Sequence, residues 1–146
     1  MVRLPRALAG EVIAHAREAA PLEACGVVGL REGRVERLAR ARNYSQTPQV
    51  HFTFTNPAPG ARLGADDGYK LIMDYDRDGL DLGVYHSHPA SPAYPSPTDR
   101  REMSQTWPDI LQLVVSLRLG PDQPELFAYR IDSQGGVTQD ELRIED

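Results

Sequence analysis

His86-Ser87-His88-Pro89, followed at a fixed distance by Ser96 and Asp99, places three side chains able to hold a metal between positions 86 and 99. Successive side chains on a strand alternate faces, so His86 and His88 point the same way and can reach one ion. Zinc takes imidazole nitrogen and carboxylate oxygen at about 2.0 to 2.2 Å, and a catalytic zinc site typically has three protein ligands and an open fourth position. His86, His88 and Asp99 make that three. The run Leu80-Asp81-Leu82-Gly83-Val84-Tyr85 leading into the pair reads as a buried strand that ends where open α/β sheets bind ligands. Ser96-Pro97-Thr98-Asp99 is also a strong helix start, with Ser at the N-cap, Pro at the first helical position and an acid in the first turn. Capping and ligation are compatible, because a helix holds the rotamer of a first-turn carboxylate as ligation requires.

Glu23 stands at the mouth of the apolar stretch Ala24-Cys25-Gly26-Val27-Val28-Gly29. Alone, it reads as an exposed acid at a helix-to-strand junction. With the downstream residues it completes a pattern: Glu, then His-Ser-His-Pro, seven residues from 89 to 95, Ser96, two residues and Asp99. In these residues the chain resembles the JAMM metalloprotease family, also called the MPN-plus domain, of the stand-alone prokaryotic type. The resemblance implies an α/β fold, cytidine-deaminase-like, with a central mixed β-sheet flanked by helices, filling residues 1–146 as one domain. It implies one catalytic Zn2+ on His86, His88 and Asp99, which lowers the pKa of bound water towards about 7. Glu23 would be the general base and acid, and Ser96 would donate a hydrogen bond to the developing oxyanion.

Family substrates are amide bonds at the Gly-Gly end of ubiquitin in eukaryotes and of ubiquitin-like sulfur-carrier proteins in bacteria and archaea. The short chain here is similar to the second kind. A narrow groove passing a Gly-Gly tail makes physical sense, since glycine alone lets backbone approach a recessed metal closely. The family also suggests a homodimer, although the sequence shows no seam for one. The competing reading is a non-catalytic MPN-type binding scaffold with a structural zinc. In that case a fourth protein ligand would close the site, with His51 as the candidate.

Composition narrows the classes further. With 16 basic and 21 acidic residues the net charge is −5, and arginines are scattered, so there is no footprint for nucleic acid. No apolar run is long enough to span a bilayer and the N-terminus lacks the apolar core of a secretion signal, so neither membrane nor export is expected and the placement is cytoplasmic. The single Cys25 excludes an internal disulfide. In its apolar strand it reads as a small buried residue, not a thiol nucleophile. The zinc nucleobase deaminases need a Glu two residues after the metal-binding His and a Pro-Cys-x-x-Cys, and both are missing.

The elements that must position these residues follow from periodicity. Leu4, Leu8, Val12 and Ala16 predict an amphipathic helix over 5–20, ended by Pro21, with His15 beside the stripe as a structural residue. Strands are expected at 24–30 and 34–41, joined by Arg31-Glu32-Gly33, and at 51–55, where Phe52 and Phe54 alternate with polar residues. A helix over 67–78 leads into a strand at 80–86. Beyond the metal loop come a helix over 97–106 and strands at 110–117, 125–131 and 137–144, the last two joined through Gly135-Gly136. Residues 45–68 carry an uneven pattern rich in Pro and Gly, and part of them reads as a mobile flap that orders on an extended substrate tail. Residues 90–95, with Tyr94, form the other wall.

Overall fold

The computed structural model describes residues 1–146. A four-residue strand β1 (Val2–Pro5) opens the chain and runs directly into helix α1 (Arg6–Ala19). Then come β2 (Cys25–Arg31), β3 (Arg34–Ala41), α2 (Gly68–Arg77), β4 (Asp81–His88) and α3 (Pro97–Thr106). Strands β5 (Leu111–Ser116), β6 (Glu125–Ile131), β7 (Val137–Asp140) and β8 (Leu142–Glu145) complete the fold. All eight strands form one mixed sheet in the order β7-β6-β5-β4-β2-β3-β1-β8. The two-residue turn Glu32-Gly33 has positive φ at both positions, the geometry that suits the right-handed twist of the β2–β3 hairpin.

The strand β4 lies in the middle of this sheet, antiparallel to β2 and parallel to β5. Its even-numbered residues face one side and its odd-numbered residues the other. On one side Tyr85 joins Val12 and Ala16 of α1, Val28, Leu113 and Val115 in a buried cluster. On the opposite side Val84 packs with Cys25, Val27, Ile72 and Tyr75 of α2, Met103 of α3, and Phe52 and Phe54. Full burial of such apolar side chains contributes about 1.5–3 kcal/mol each. Gly26 is required where the Tyr85 ring crosses β2: a Cβ there would lie 2.1 Å from Tyr85 Cε1.

Three expectations from the sequence are corrected. The first helix begins at Arg6, and Leu4 belongs to β1, whose parallel partners β3 and β8 are remote in sequence and leave no local signal. Residues 51–55 form no strand. Phe52 and Phe54 are buried as the alternation suggests, yet the backbone here bonds piecemeal, with Thr53 N–H donating to Asn43 Oδ1 (3.1 Å) and Phe54 O accepting from Gly68 N–H (2.7 Å). The last strand is two: β7 pairs with β6, whereas β8 pairs with β1 at the other end of the sheet. Only Glu141 separates them, so the sheet curls until its edges meet, and Glu141 O accepts from Val2 N–H at 2.8 Å. The other strands and helices fall where periodicity places them, with β4 extended to His88 by pairing with Ser116.

Candidate active site

His86 and His88 end β4 on its α2 and α3 face, and the chain returns through residues 89–95 to deliver Asp99 in the first turn of α3. The turn is built by a capping box: Asp99 N–H donates to Ser96 Oγ (3.1 Å) and Ser96 N–H donates to Asp99 Oδ2 (2.9 Å). His86 Nε2 lies 3.0 Å from His88 Nε2 and 3.0 Å from Asp99 Oδ2, which is 3.2 Å from His88 Nε2. All three residues are buried.

This convergence is a donor set for a cation. His88 Nδ1 lies 2.8 Å from Pro92 O, which can only accept, so that nitrogen carries a proton and Nε2 is the atom left to face the site. Burial holds the His86 imidazole below its ordinary pKa, against the opposing charge of Asp99. Burial alone would raise the Asp99 carboxyl, but the charge of His86 and the hydrogen bonds from both imidazoles and Ser96 N–H hold it far below the usual range. Two imidazole nitrogens and a carboxylate oxygen thus crowd one point, an arrangement that a divalent ion, held by the deprotonated Nε2 atoms, stabilises. His86 Nδ1 has no partner; the ring is held instead by stacking on Phe52, centroids 4.3 Å apart.

Glu23 reaches the same place from the segment just before β2. Its carboxylate and the two imidazoles bring their ligand atoms within 4.8 Å of one another. The side chain is 5% exposed and its Oε1 has no partner in the fold. A buried carboxylate oxygen without a partner is costly unless something outside the chain satisfies it. Burial, with the charge of Asp99 adding and that of His88 opposing, pushes the Glu23 carboxyl up to about 8. Either acid has the chemistry of a third ligand. Asp99 is the one whose oxygen already stands at about 3 Å from both nitrogens. Glu23 is the one left with a free oxygen.

The sequence pattern missed what fixes Glu23. Its N–H donates to Pro48 O (2.7 Å) and its carbonyl accepts from Asn43 Nδ2 (3.1 Å). The following residue, Ala24, donates its N–H to Ser87 Oγ (2.8 Å) and accepts Ser87 N–H (3.0 Å). Ser87 therefore sits between the two histidines and, pointing to the opposite face, ties the segment of Glu23, just before β2, to their strand. The strand alternation carries this signal; the partner of the hydroxyl is a tertiary fact. Ser96 Oγ, half-buried, accepts from Asp99 N–H and keeps its own proton to donate.

His51 is engaged elsewhere. Its Nε2 lies 2.9 Å from Glu102 Oε2 and its Nδ1 lies 2.8 Å from Ser45 Oγ, so both nitrogens are taken. Cys25 is buried with its thiol pushed up to about 12, mainly by desolvation, which suits a structural residue. Tyr94 is half exposed and packs edge-on against Tyr129. The loop between β3 and α2 is anchored near the site by Asn43, Pro48 and Phe52, while residues 57–66 lie mostly at the surface.

With this geometry in view, comparison with known proteins is decisive. Residues 5–132 match the model of the prokaryotic homologs of the JAB domain. The chain belongs to that family. Among JAB-domain relatives, the CysO-cysteine peptidase of Mycobacterium tuberculosis is 34% identical over 142 residues, covering 94% of this chain and 86% of the relative. A probable TtuB-protein conjugate cleaving protease of Thermus thermophilus is 39% identical over 103 residues, 68% of this chain and 61% of that protein. The solution structure of protein DSY2949 from Desulfitobacterium hafniense superposes with a TM-score of 0.76 at 33% identity, covering 100% of this chain and 94% of that one. The mixed sheet with helices on both faces is thus the JAB fold, and no helix of this member is long and apolar enough to cross a membrane.

Proposed function

We propose that this protein is a zinc-dependent metallopeptidase that hydrolyses the amide bond after the C-terminal Gly-Gly of a ubiquitin-like or sulfur-carrier protein. The observation that carries the reading is the meeting of His86 Nε2, His88 Nε2 and Asp99 Oδ2 beside a buried Glu23 whose Oε1 has no partner. His86, His88 and Asp99 are the ligands. Zinc, when bound, supplies Lewis-acid activation of water and of the amide carbonyl.

The chain's own residues then manage protons and charge. Glu23, poised near neutrality by its burial, takes a proton from the attacking water and delivers it to the departing nitrogen as the carbon–nitrogen bond breaks. Ser96, fixed at the helix start, donates its hydroxyl proton to the carbonyl oxygen as charge builds there, an interaction whose loss typically costs about 2.7–4 kcal/mol of barrier. Ligand sets that include water need an open position, and the engagement of His51 with Glu102 and Ser45 speaks for one. The named activities of the mycobacterial and Thermus relatives support the substrate class. The proposal takes residues 1–146 as one cytoplasmic JAMM/MPN-plus unit and includes a homodimer, which sedimentation of the purified chain tests against the 16.2 kDa monomer.

The deciding experiment is intact-mass analysis of a ubiquitin-like sulfur carrier, extended beyond its terminal Gly-Gly, after incubation with the zinc-loaded protein or its Glu23→Ala variant. Cleavage after Gly-Gly by the wild type alone is expected. No cleavage by protein shown to hold zinc would overturn the substrate assignment.

A further inference from the structure

Two cavities lie beside the site, and only one of them is lined by a site residue. One, of about 290 Å³, lies between Phe52–Thr55 and α3, with Glu102, Met103 and Trp107 in its wall. The other, of about 260 Å³, lies between the end of α1, the start of β2 and the loop after β3, walled by His15, Ala19, Leu22, Glu23, Asn43 and Pro48. Glu23 lines the second and not the first. We infer that this second cavity is the subsite for the residue that follows the scissile amide, and that it takes a compact, uncharged side chain.

The assignment rests on the peptidase reading and on where a proton must go. Hydrolysis adds the water's hydroxyl to the carbonyl carbon, breaks the carbon–nitrogen bond and leaves the proton on the nitrogen. If Glu23 hands over that proton, the leaving nitrogen sits against its carboxyl, and the carbon it carries lies on the flank that Glu23 lines. The acyl side is then left to the cleft at Phe52 and Trp107.

The wall decides which leaving residue fits. Below the range of about 300–1,000 Å³ that holds a drug-sized ligand, the cavity suits a single residue. Ala19, Leu22 and Pro48 give it an apolar lining, and Leu22 is 39% exposed there. Polar capacity is nearly exhausted. Asn43 donates to Glu23 O and His51 O and accepts from Ser45 N–H and Thr53 N–H, which uses all four of its positions. His15 Nδ1 is taken by the Tyr85 hydroxyl at 2.7 Å. Arg40, whose charge is felt at His15, is ion-paired with Glu18. An acidic leaving residue would meet the Glu23 carboxyl with no free cation to offset it, and a bulky one would not fit.

The test uses zinc-loaded protein and carrier substrates that differ only in the residue after Gly-Gly: Ala, Val, Asp or Trp. Asp and Trp are expected to be cleaved with kcat/KM at least tenfold below Val, within the range of about 10–200-fold that one pocket contact supplies. Leu22→Arg is expected to raise Asp relative to Val about tenfold, and Ala19→Phe to slow Val more than Ala. Cleavage of all four at rates within twofold, unmoved by either variant, would overturn the subsite and leave the peptidase reading standing. If no carrier is cleaved, the carrier-substrate assignment falls and amide NMR decides the cavity alone. Saturable shifts at Leu22, Ala24 and Asn43 with L-valinamide but not with L-aspartic acid α-amide uphold it. Absent shifts, or equal ones, overturn it.

Discussion

The proposed metal cradle and the proposed base that faces it are held in different ways. His86, His88, Ser96 and Asp99 belong to one strand, one loop and one helix start, and the capping box and alternation that orient them are local. Glu23 is held by Pro48, Asn43 and, through Ala24, by Ser87, all distant in sequence. The cradle is therefore specified by spacing, and the base by tertiary packing. Damage to one should leave the other legible in measurement, which gives the comparison its tests.

The largest effect is expected at Asp99. Asp99→Ala removes a ligand atom and one half of the capping box together. Zinc per chain, by plasma mass spectrometry, should fall to a small fraction of the wild-type value and cleavage should vanish. Loss of the Ser96 N–H to Asp99 Oδ2 bond adds about 1–3 kcal/mol of destabilisation, while the Ser96 cap itself remains. Asp99→Asn can still accept from Ser96 N–H, so it should lose metal while keeping most of the stability. Full zinc occupancy in either variant would refute Asp99 as a ligand. Next comes Glu23→Gln, which spares the cradle: zinc is retained, and turnover should drop by about 10²–10⁴, the usual worth of a positioned acid–base group. Turnover near the wild-type rate would remove Glu23 from that role.

A smaller effect is expected from Ser87→Ala, which touches neither ligand nor base. It leaves the buried Ala24 N–H without its acceptor, at a cost of about 1–3 kcal/mol, and loosens the backbone next to Glu23. The expected signature is unchanged zinc affinity with kcat lowered about tenfold and KM little altered, restored by Ser87→Thr, whose hydroxyl can return to the same place. Equal losses in the Thr and Ala variants would show a purely packing role.

The same contrast explains what the sequence revealed. The Ser96-Pro97 helix start and the apolar run of β4 are local statements that reappear in the fold, and the spacing of His86, His88 and Asp99 brings their side chains together there. Positions 51–55 misled because alternating aromatics satisfy two neighbours, His86 and Trp107, without any strand partner. The strand β1 and the divergence of β7 from β8 depend on closure of the sheet, where Glu141 O meets Val2 N–H, and no window of sequence contains both. Asn43 and Pro48 were silent for a like reason. Their roles are hydrogen bonds to the backbone of Glu23, which no residue type announces.

The mildest test concerns acid. His15 packs edge-on against Tyr85, and its Nδ1 meets the Tyr85 hydroxyl, in the wall of the cavity that Glu23 also lines. Burial, aided by the charge of Arg40 and opposed by that of Glu18, lowers the His15 pKa from 6.5 to about 4. The folded chain thus holds His15 neutral while the unfolded chain binds a proton below about 6.5. Stability is fully present above pH 6.5 and is lost as pH falls towards 4, below which this group contributes no further loss. Because the ring is only half-buried, solvent screening reduces the effect to about 1–2 kcal/mol. His15→Gln can still bond the Tyr85 hydroxyl and does not titrate, so its urea midpoint should fall less than the wild type's between pH 7 and 4.5. Parallel profiles would show that this region does not respond to acid through His15. A flatter variant profile would mark that region, on the sheet face opposite the histidine pair, as one that a mild acid shift loosens through His15.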